Sequence, residues 1–198
     1  MSLNKKIPKI LCNPAIVFEH AWEAYENCWE GACLECGCYE GFNSVFLNFG
    51  LRKLCTNFKQ YAADTFSGFP KNYGCQKVYK QKNLSVKDKK FVVSELRDRG
   101  IIPLQGDVKK TLLTIPNKEK FFFVFLDLDV YEPTNFAWKF LNKRVLKGGR
   151  VGFHDYQTPS LPGITELCNK ILKLKGWHEV YRVRKKERDN KFLFLEKE

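Results

Sequence analysis

No apolar run in the chain reaches the roughly 18 residues that a helix needs to cross a bilayer, so no segment reads as a membrane span. Internal repeats and low-complexity stretches are also missing, which argues against solenoid arrays and disordered linkers. The opening MSLNKKIPKI is basic, yet neither a continuous apolar segment nor a small-residue cleavage site follows it. It does not read as a signal peptide. Acidic residues are the scarcer charge: 22 Asp and Glu stand against 34 Lys and Arg, for a net charge of +12. Nucleic acid, an acidic membrane surface or an anionic substrate would each suit that excess. The basic clusters Lys77 to Lys90 and Arg182 to Arg188 lack the interleaved aromatics of an RNA-stacking face, so a lysine-rich solvated surface is the expectation.

Cysteine is plentiful, at eight residues, but the spacing of a zinc site is absent. Cys33, Cys36 and Cys38 form C-x2-C-x-C with no second knuckle downstream. They are expected to be free thiols that behave as small buried hydrophobes, Cys36 and Cys38 on one face of a strand. Without a secretory signal, reduced thiols point to a cytoplasmic protein.

The 198 residues are 44% hydrophobic and 15% aromatic, which suits one globular domain over 1–198, its first 30 residues an N-terminal helical segment. Pro14 to Asn27 carries apolar residues at helical spacing. Strands are expected at 32–38, 59–63, 101–105, 120–126 and 150–153. Helices are expected at 43–54, 86–99, 133–145 and 164–175, with a helical turn at 111–115. A turn at Lys147-Gly148-Gly149 leads into the fifth strand, and strands 178–184 and 191–195 close the chain. The stretch Phe121 to Leu126 is apolar throughout, as in a strand buried on both faces. Alternating strands and helices imply an α/β fold: a doubly wound, seven-stranded, mostly parallel sheet with an antiparallel C-terminal hairpin. That is the Rossmann-like layout of class I S-adenosylmethionine-dependent methyltransferases.

In open α/β sheets, ligands bind outside the carboxyl ends of the strands. Five motifs fall there. Glu35-Cys36-Gly37-Cys38-Tyr39-Glu40-Gly41 follows the first strand, and its glycines permit close backbone approach to a ligand. The helix start at Asn43 and Ser44 offers free N–H groups to a carboxylate. Asp64, at the end of the second strand, is placed either to accept both hydroxyls of a ribose or to cap a turn. Asp107 in Gly106-Asp107 either accepts from an adenine amino group or caps the next turn. Asp127 and Asp129 follow the fourth strand and His154-Asp155-Tyr156 the fifth. Oxygen ligands there suit a hard divalent ion, and a remaining carboxylate or the imidazole suits a general base.

Taken together, E-x-G-x-x-x-G, Asp64-Thr65-Phe66-Ser67-Gly68-Phe69-Pro70, Leu126-Asp127-Leu128-Asp129-Val130-Tyr131-Glu132-Pro133-Thr134, Gly148-Gly149 and Asp155-Tyr156 resemble the macrocin O-methyltransferase family. The resemblance runs from about Gly31 to Tyr156. It implies a metal-dependent, S-adenosylmethionine-dependent O-methyltransferase that acts on a sugar hydroxyl of a glycan or glycoside. Glu35, Gly37, Gly41, Asn43, Ser44, Asp64, Phe66, Asp107 and Asp127 would line the cofactor site, with Phe66 as one wall. Asp127 and Asp155 would hold magnesium or manganese, and Asp129 would be the base. Members of that family often carry two adjacent acids after the fifth strand, where this chain has His154-Asp155. The imidazole would then either replace a carboxylate ligand, loosening the preference for magnesium, or serve as the base. The partner is a carbohydrate, free, nucleotide-linked or within a glycan, and a homo-oligomer is compatible. The alternatives are a catechol or small-phenol methyltransferase gated by the aromatic loop Phe66 to Tyr79, and an RNA methyltransferase or nucleic-acid-binding protein. Against the latter, no N-P-P-Y-type tetrapeptide for base amines is present.

Overall fold

The structure, a computed structural model, describes residues 12–54, 57–70, 84–182 and 191–198. The first half of the lysine cluster from Lys77 to Lys90, most of the aromatic loop to Tyr79 and most of Arg182 to Arg188 lie outside those residues.

The first helix, α1 (Pro14–Cys28), starts where the Asn13 side chain accepts a hydrogen bond from the Ala15 N–H at 3.1 Å and Pro14 takes the first turn. Then follow β1 (Ala32–Cys36), α2 (Phe42–Leu54), β2 (Lys59–Asp64), α3 (Lys89–Asp98) and β3 (Ile101–Gln105). A four-residue helix, α4 (Val108–Thr111), runs into a 3-10 turn at Leu112–Thr114. The chain continues through β4 (Phe121–Leu126), α5 (Tyr131–Leu141), β5 (Val145–Phe153), α6 (Pro162–Ile171), β6 (Trp177–Arg182) and β7 (Leu193–Lys197).

The strands form one sheet in the order β3-β2-β1-β4-β5-β7-β6. β1 to β5 pair in parallel, and β7 runs antiparallel to both β5 and β6. All six residues of β4 are buried, as a central strand covered on both faces must be. On one face, Val124 and Leu126 pack with Trp138, Leu141, Ile164 and Leu167 of α5 and α6. On the other, Phe122, Phe123 and Phe125 pack with Val17, Ala21 and Leu47 of α1 and α2.

Phe122 and Phe123 share a face because the pairing register shifts there, so Phe122 is an extra residue against β1. The partner irregularity is in β5, which begins at Val145 and carries Gly148 and Gly149 inside the strand. They bulge the strand rather than precede it as a turn, and a Cβ on Gly149 would sit 2.9 Å from the Phe122 carbonyl oxygen.

The helix after β4 stops at Leu141, earlier than its pattern suggested, because β5 starts sooner. β1 ends at Cys36, so Cys38 lies beyond it. The three clustered cysteines face three different surroundings: Cys36 packs beneath α5 and α6, Cys33 beneath α1 and α2, and Cys38 against Phe66 and Leu96. All three are buried, and in these separate surroundings they cannot converge on one ion.

A buried ionic cluster ties α1 to the sheet. Arg150 Nε donates to Glu196 Oε2 at 2.8 Å, while its Nη1 meets His20 Nδ1 at 2.8 Å and bonds Glu23. No helix among the described residues is long and apolar enough to cross a membrane.

Candidate active site

Hydrogen bonding continues one residue past the strand ends. Gly37 N–H donates to Ala63 O at 2.8 Å, Asp127 N–H to Cys36 O at 2.8 Å, His154 N–H to Leu126 O at 3.0 Å and Gly106 N–H to Asp64 O at 2.9 Å. The residues that leave the sheet are therefore held by the sheet ladder rather than by free loops. The neighbours of β1 are β2 and β4, so the chain order reverses beside it and the loops diverge. A cleft of about 380 Å³ opens there, lined by Glu35, Gly37, Asn43, Asp64, Asp107, Asp127, Asp129, His154 and Asp155 among others.

Gly37 is the tightest point. Its φ is 90°, and a Cβ would lie 1.7 Å from the Asp127 carbonyl oxygen, so no larger residue fits. Glu35 beside it is 2% exposed. Its carboxylate accepts from Asn43 Nδ2 at 2.6 Å and from the Ser44 hydroxyl. Burial nevertheless pushes its pKa up to about 7, the two donors only partly opposing the lost hydration. Asn43 Oδ1 is buried without a hydrogen-bond partner at the cleft wall. Ser44 and Gly41 do not line the cleft. Ser44 is spent on Glu35, and Gly41, with a φ of 79°, lets the loop pass Leu96.

At the end of β2, Asp64 Oδ2 accepts from the Tyr39 N–H at 2.8 Å and Oδ1 from the Phe66 N–H at 2.7 Å. Capping and ligand binding are compatible, because each carboxylate oxygen has a second acceptor direction. Burial raises the pKa of this carboxyl despite both backbone donors. Phe66 does not form a wall of the cleft. With a φ of 53° and 1% exposure, it turns inward onto Ala62, Val92, Val93 and Leu96. Phe69 and Pro70 stand at the cleft instead. Asp107 caps α4, its Oδ1 accepting from the Lys109 N–H at 2.9 Å, and also lines the cleft with Gly106 and Val108.

The acidic end of the cleft is built by β4 and β5. His154 Nδ1 stands 3.0 Å from Asp127 Oδ1 and 3.2 Å from Asp155 Oδ2. Burial would lower its pKa, but the two carboxylates override that and lift it to about 11. Asp155 feels burial too, yet His154 brings its carboxyl below the ordinary value. Asp129 is the opposite case. Burial first, then the charges of Asp127 and Asp155, hold its carboxyl well above the ordinary value, and it shares a hydrogen bond with Asp155. Asp129 and Asp155 have φ of 59° and 60°, left-handed conformations that cost energy outside glycine.

One ligand atom each from Asp127, His154 and Asp155 come within 4.8 Å of one another. Two carboxylate oxygens and an imidazole nitrogen are a donor set that fits a divalent ion.

Residues 18–177 match the Macrocin-O-methyltransferase (TylF) family. The chain belongs to that family. It is thus a methyltransferase, and its fold recurs in solved O-methyltransferases. CalS11, a calicheamicin methyltransferase, superposes with a TM-score of 0.74 at 20% identity, over 90% of this chain and 77% of CalS11. The O-methyltransferase NovP gives 0.76 at 18% identity, over 93% of this chain and 78% of NovP. An O-methyltransferase from Bacillus cereus in complex with SAH gives 0.66 at 12% identity, over 98% and 85%. No curated protein sequence matches the chain.

The cleft of this macrocin-type methyltransferase is also built from groups whose part the motifs do not announce. Tyr39 contributes its backbone N–H rather than its ring, and Leu84, Val108, Leu128 and Pro133 supply apolar lining. Of these four apolar residues, only Leu128 and Pro133 lie in a motif recognisable beforehand. The Tyr39 role follows from a φ of 49°, which nothing in a tyrosine announces.

Proposed function

We propose that this chain transfers the methyl group of S-adenosylmethionine to a sugar hydroxyl of a glycan or glycoside. The observation that carries the reading is the convergence of Asp64, Glu35 and Asn43 with Asp127, Asp129, His154 and Asp155 on one cleft at the chain-order reversal of the sheet. When bound, the sulfonium donor supplies an electrophilic methyl carbon. The free acceptor directions of Asp64 suit two adjacent ribose hydroxyls. Glu35 and the unpartnered Asn43 Oδ1 suit an ammonium. Asp107, at the cleft wall, suits an adenine amino group.

At the other end, Asp127, His154 and Asp155 would hold a divalent ion, magnesium or manganese, which would supply Lewis acidity to the acceptor oxygen. Asp129 accepts the hydroxyl proton. Its raised pKa makes it a stronger proton acceptor than an ordinary carboxylate, and such proton transfer contributes typically ~10²–10⁴-fold. Fixing the acceptor oxygen in line with the methyl group is the larger effect, up to about 7–11 kcal/mol of the barrier. The buried thiols of Cys33, Cys36 and Cys168 support a cytoplasmic setting.

The test pairs calorimetric binding of S-adenosylhomocysteine with transfer of labelled methyl to a panel of glycosides, nucleotide sugars and catechols. Micromolar binding and labelled glycoside sustain the reading. A small phenol is the second reading, favoured by Phe69, Leu84 and Leu128 in the cleft wall, and catechol labelling alone would replace the first with it. Absence of binding would sink both.

A further inference from the structure

Both carboxylates beside His154 meet the same ring nitrogen. Nδ1 is 3.0 Å from Asp127 Oδ1 and 3.2 Å from Asp155 Oδ2, yet neither contact has the direction of a hydrogen bond. Both ring nitrogens are shut off from solvent and have no hydrogen-bond partner. The ring is packed from behind by Phe192, at 5.3 Å between centroids, and by Phe125 at 6.5 Å. The backbone is pinned as well, His154 N–H on Leu126 O and Asp127 N–H on Cys36 O. Two of the three donor residues, Asp127 and His154, are thus set by the sheet, and Asp155 follows directly after them.

Their spacing has a chemical meaning. Adjacent ligands about 2.1 Å from a six-coordinate ion stand roughly 3.0 Å apart, the separation of Nδ1 from each oxygen here. An all-carboxylate set of this size would suit magnesium. A nitrogen donor shifts the order toward first-row transition ions, which gain more from imidazole than magnesium does.

We propose that Asp127, His154 Nδ1 and Asp155 form a mixed nitrogen–oxygen site that selects a transition ion such as manganese over magnesium. The inference rests on the reading of this cluster as the metal site of the methyltransferase.

The test is calorimetric titration of the metal-stripped whole chain with magnesium, manganese and cobalt chlorides, with S-adenosylhomocysteine binding measured alongside. Manganese and cobalt should bind at least about tenfold tighter than magnesium. His154→Asp, with an all-oxygen set, should bring manganese and magnesium toward parity. Should that variant fail to fold, the wild-type protein still decides. Its three histidines, His20, His154 and His178, can be labelled with nitrogen-15, and diamagnetic zinc should shift the His154 Nδ1 resonance. Magnesium binding as tightly as manganese overturns the proposal, and so does zinc binding that leaves His154 unshifted. A protein that binds S-adenosylhomocysteine but no metal also overturns it, while leaving methyl transfer standing. Failure of the folded protein to bind S-adenosylhomocysteine overturns the methyltransferase site itself.

Discussion

Glu35→Gln should stabilise the ligand-free protein at alkaline pH and weaken it as a binder. An ordinary glutamate titrates near 4.5, and burial moves Glu35 to about 7. The folded state therefore holds a proton that the unfolded chain releases, and stability falls as pH rises between those two values. At about 1.4 kcal/mol per tenfold, the full penalty is roughly 3 kcal/mol, developed by pH 8 and largely absent at pH 4.5. Glutamine carries no charge to bury. It keeps one oxygen for Asn43 or Ser44 and loses the other bond, an offset of about 1 kcal/mol that does not vary with pH. Urea unfolding of wild type and variant at pH 5 and pH 8 reads the effect, because titrating groups remote from Glu35 cancel in the difference. The stability gap should move by roughly 2–3 kcal/mol in favour of the variant between the two pH values. S-adenosylhomocysteine affinity at pH 8 should fall in the same variant. A gap that stays constant from pH 5 to pH 8 would refute the claim that Glu35 is buried as a strained charge.

Gly37→Ala should cost at least about 3 kcal/mol by thermal or urea unfolding, since the new Cβ meets the Asp127 backbone at 1.7 Å and φ is 90°. A melting temperature within a degree or two of wild type would show that the two loops are not in contact. Asp129→Asn should lower turnover by ~10²–10⁴ while S-adenosylhomocysteine binds almost as before. In the wild type, turnover should rise with pH through the elevated Asp129 pKa, because the base must be ionised; a flat rise-free profile would remove Asp129 from the role. Arg150→Ala should destabilise by about 3 kcal/mol, the low end for a broken buried pair because Glu23 is half exposed. Unfolding free energies equal to wild type would mean that the cluster is neutral.

What the sequence discloses depends on how local the cause is. β4 was readable because six apolar residues in a row leave no polar face, so burial on both sides is the only economical placement. The sheet order and the edge carrying Asp64, Asp127 and His154 follow from strand alternation. Phe66 was misplaced because Asp64-Thr65-Phe66-Ser67-Gly68-Phe69 offers two phenylalanines, and only a positive φ at the first decides which turns inward. Gly148 and Gly149 looked like a turn because a bulge uses the same residues as a turn. The Arg150 cluster joins positions 46 and 130 residues away, to Glu196 and His20, and no local pattern encodes such pairs.

The sign of charge in the cleft runs against that of the chain. The whole protein is +12, yet seven carboxylates line the cleft and no Lys or Arg does so among the described residues. Holding such a set without a ligand is unfavourable, and the protein shows where the cost falls: Glu35, Asp64 and Asp129 have raised pKa values, and Asp129 and Asp155 sit in left-handed backbone. Neutralising them with arginines would have been simple in a chain this basic. Among the described residues only His154 answers this charge from within the cleft, which leaves room for the cationic donor and the divalent ion of the proposed function to supply the rest.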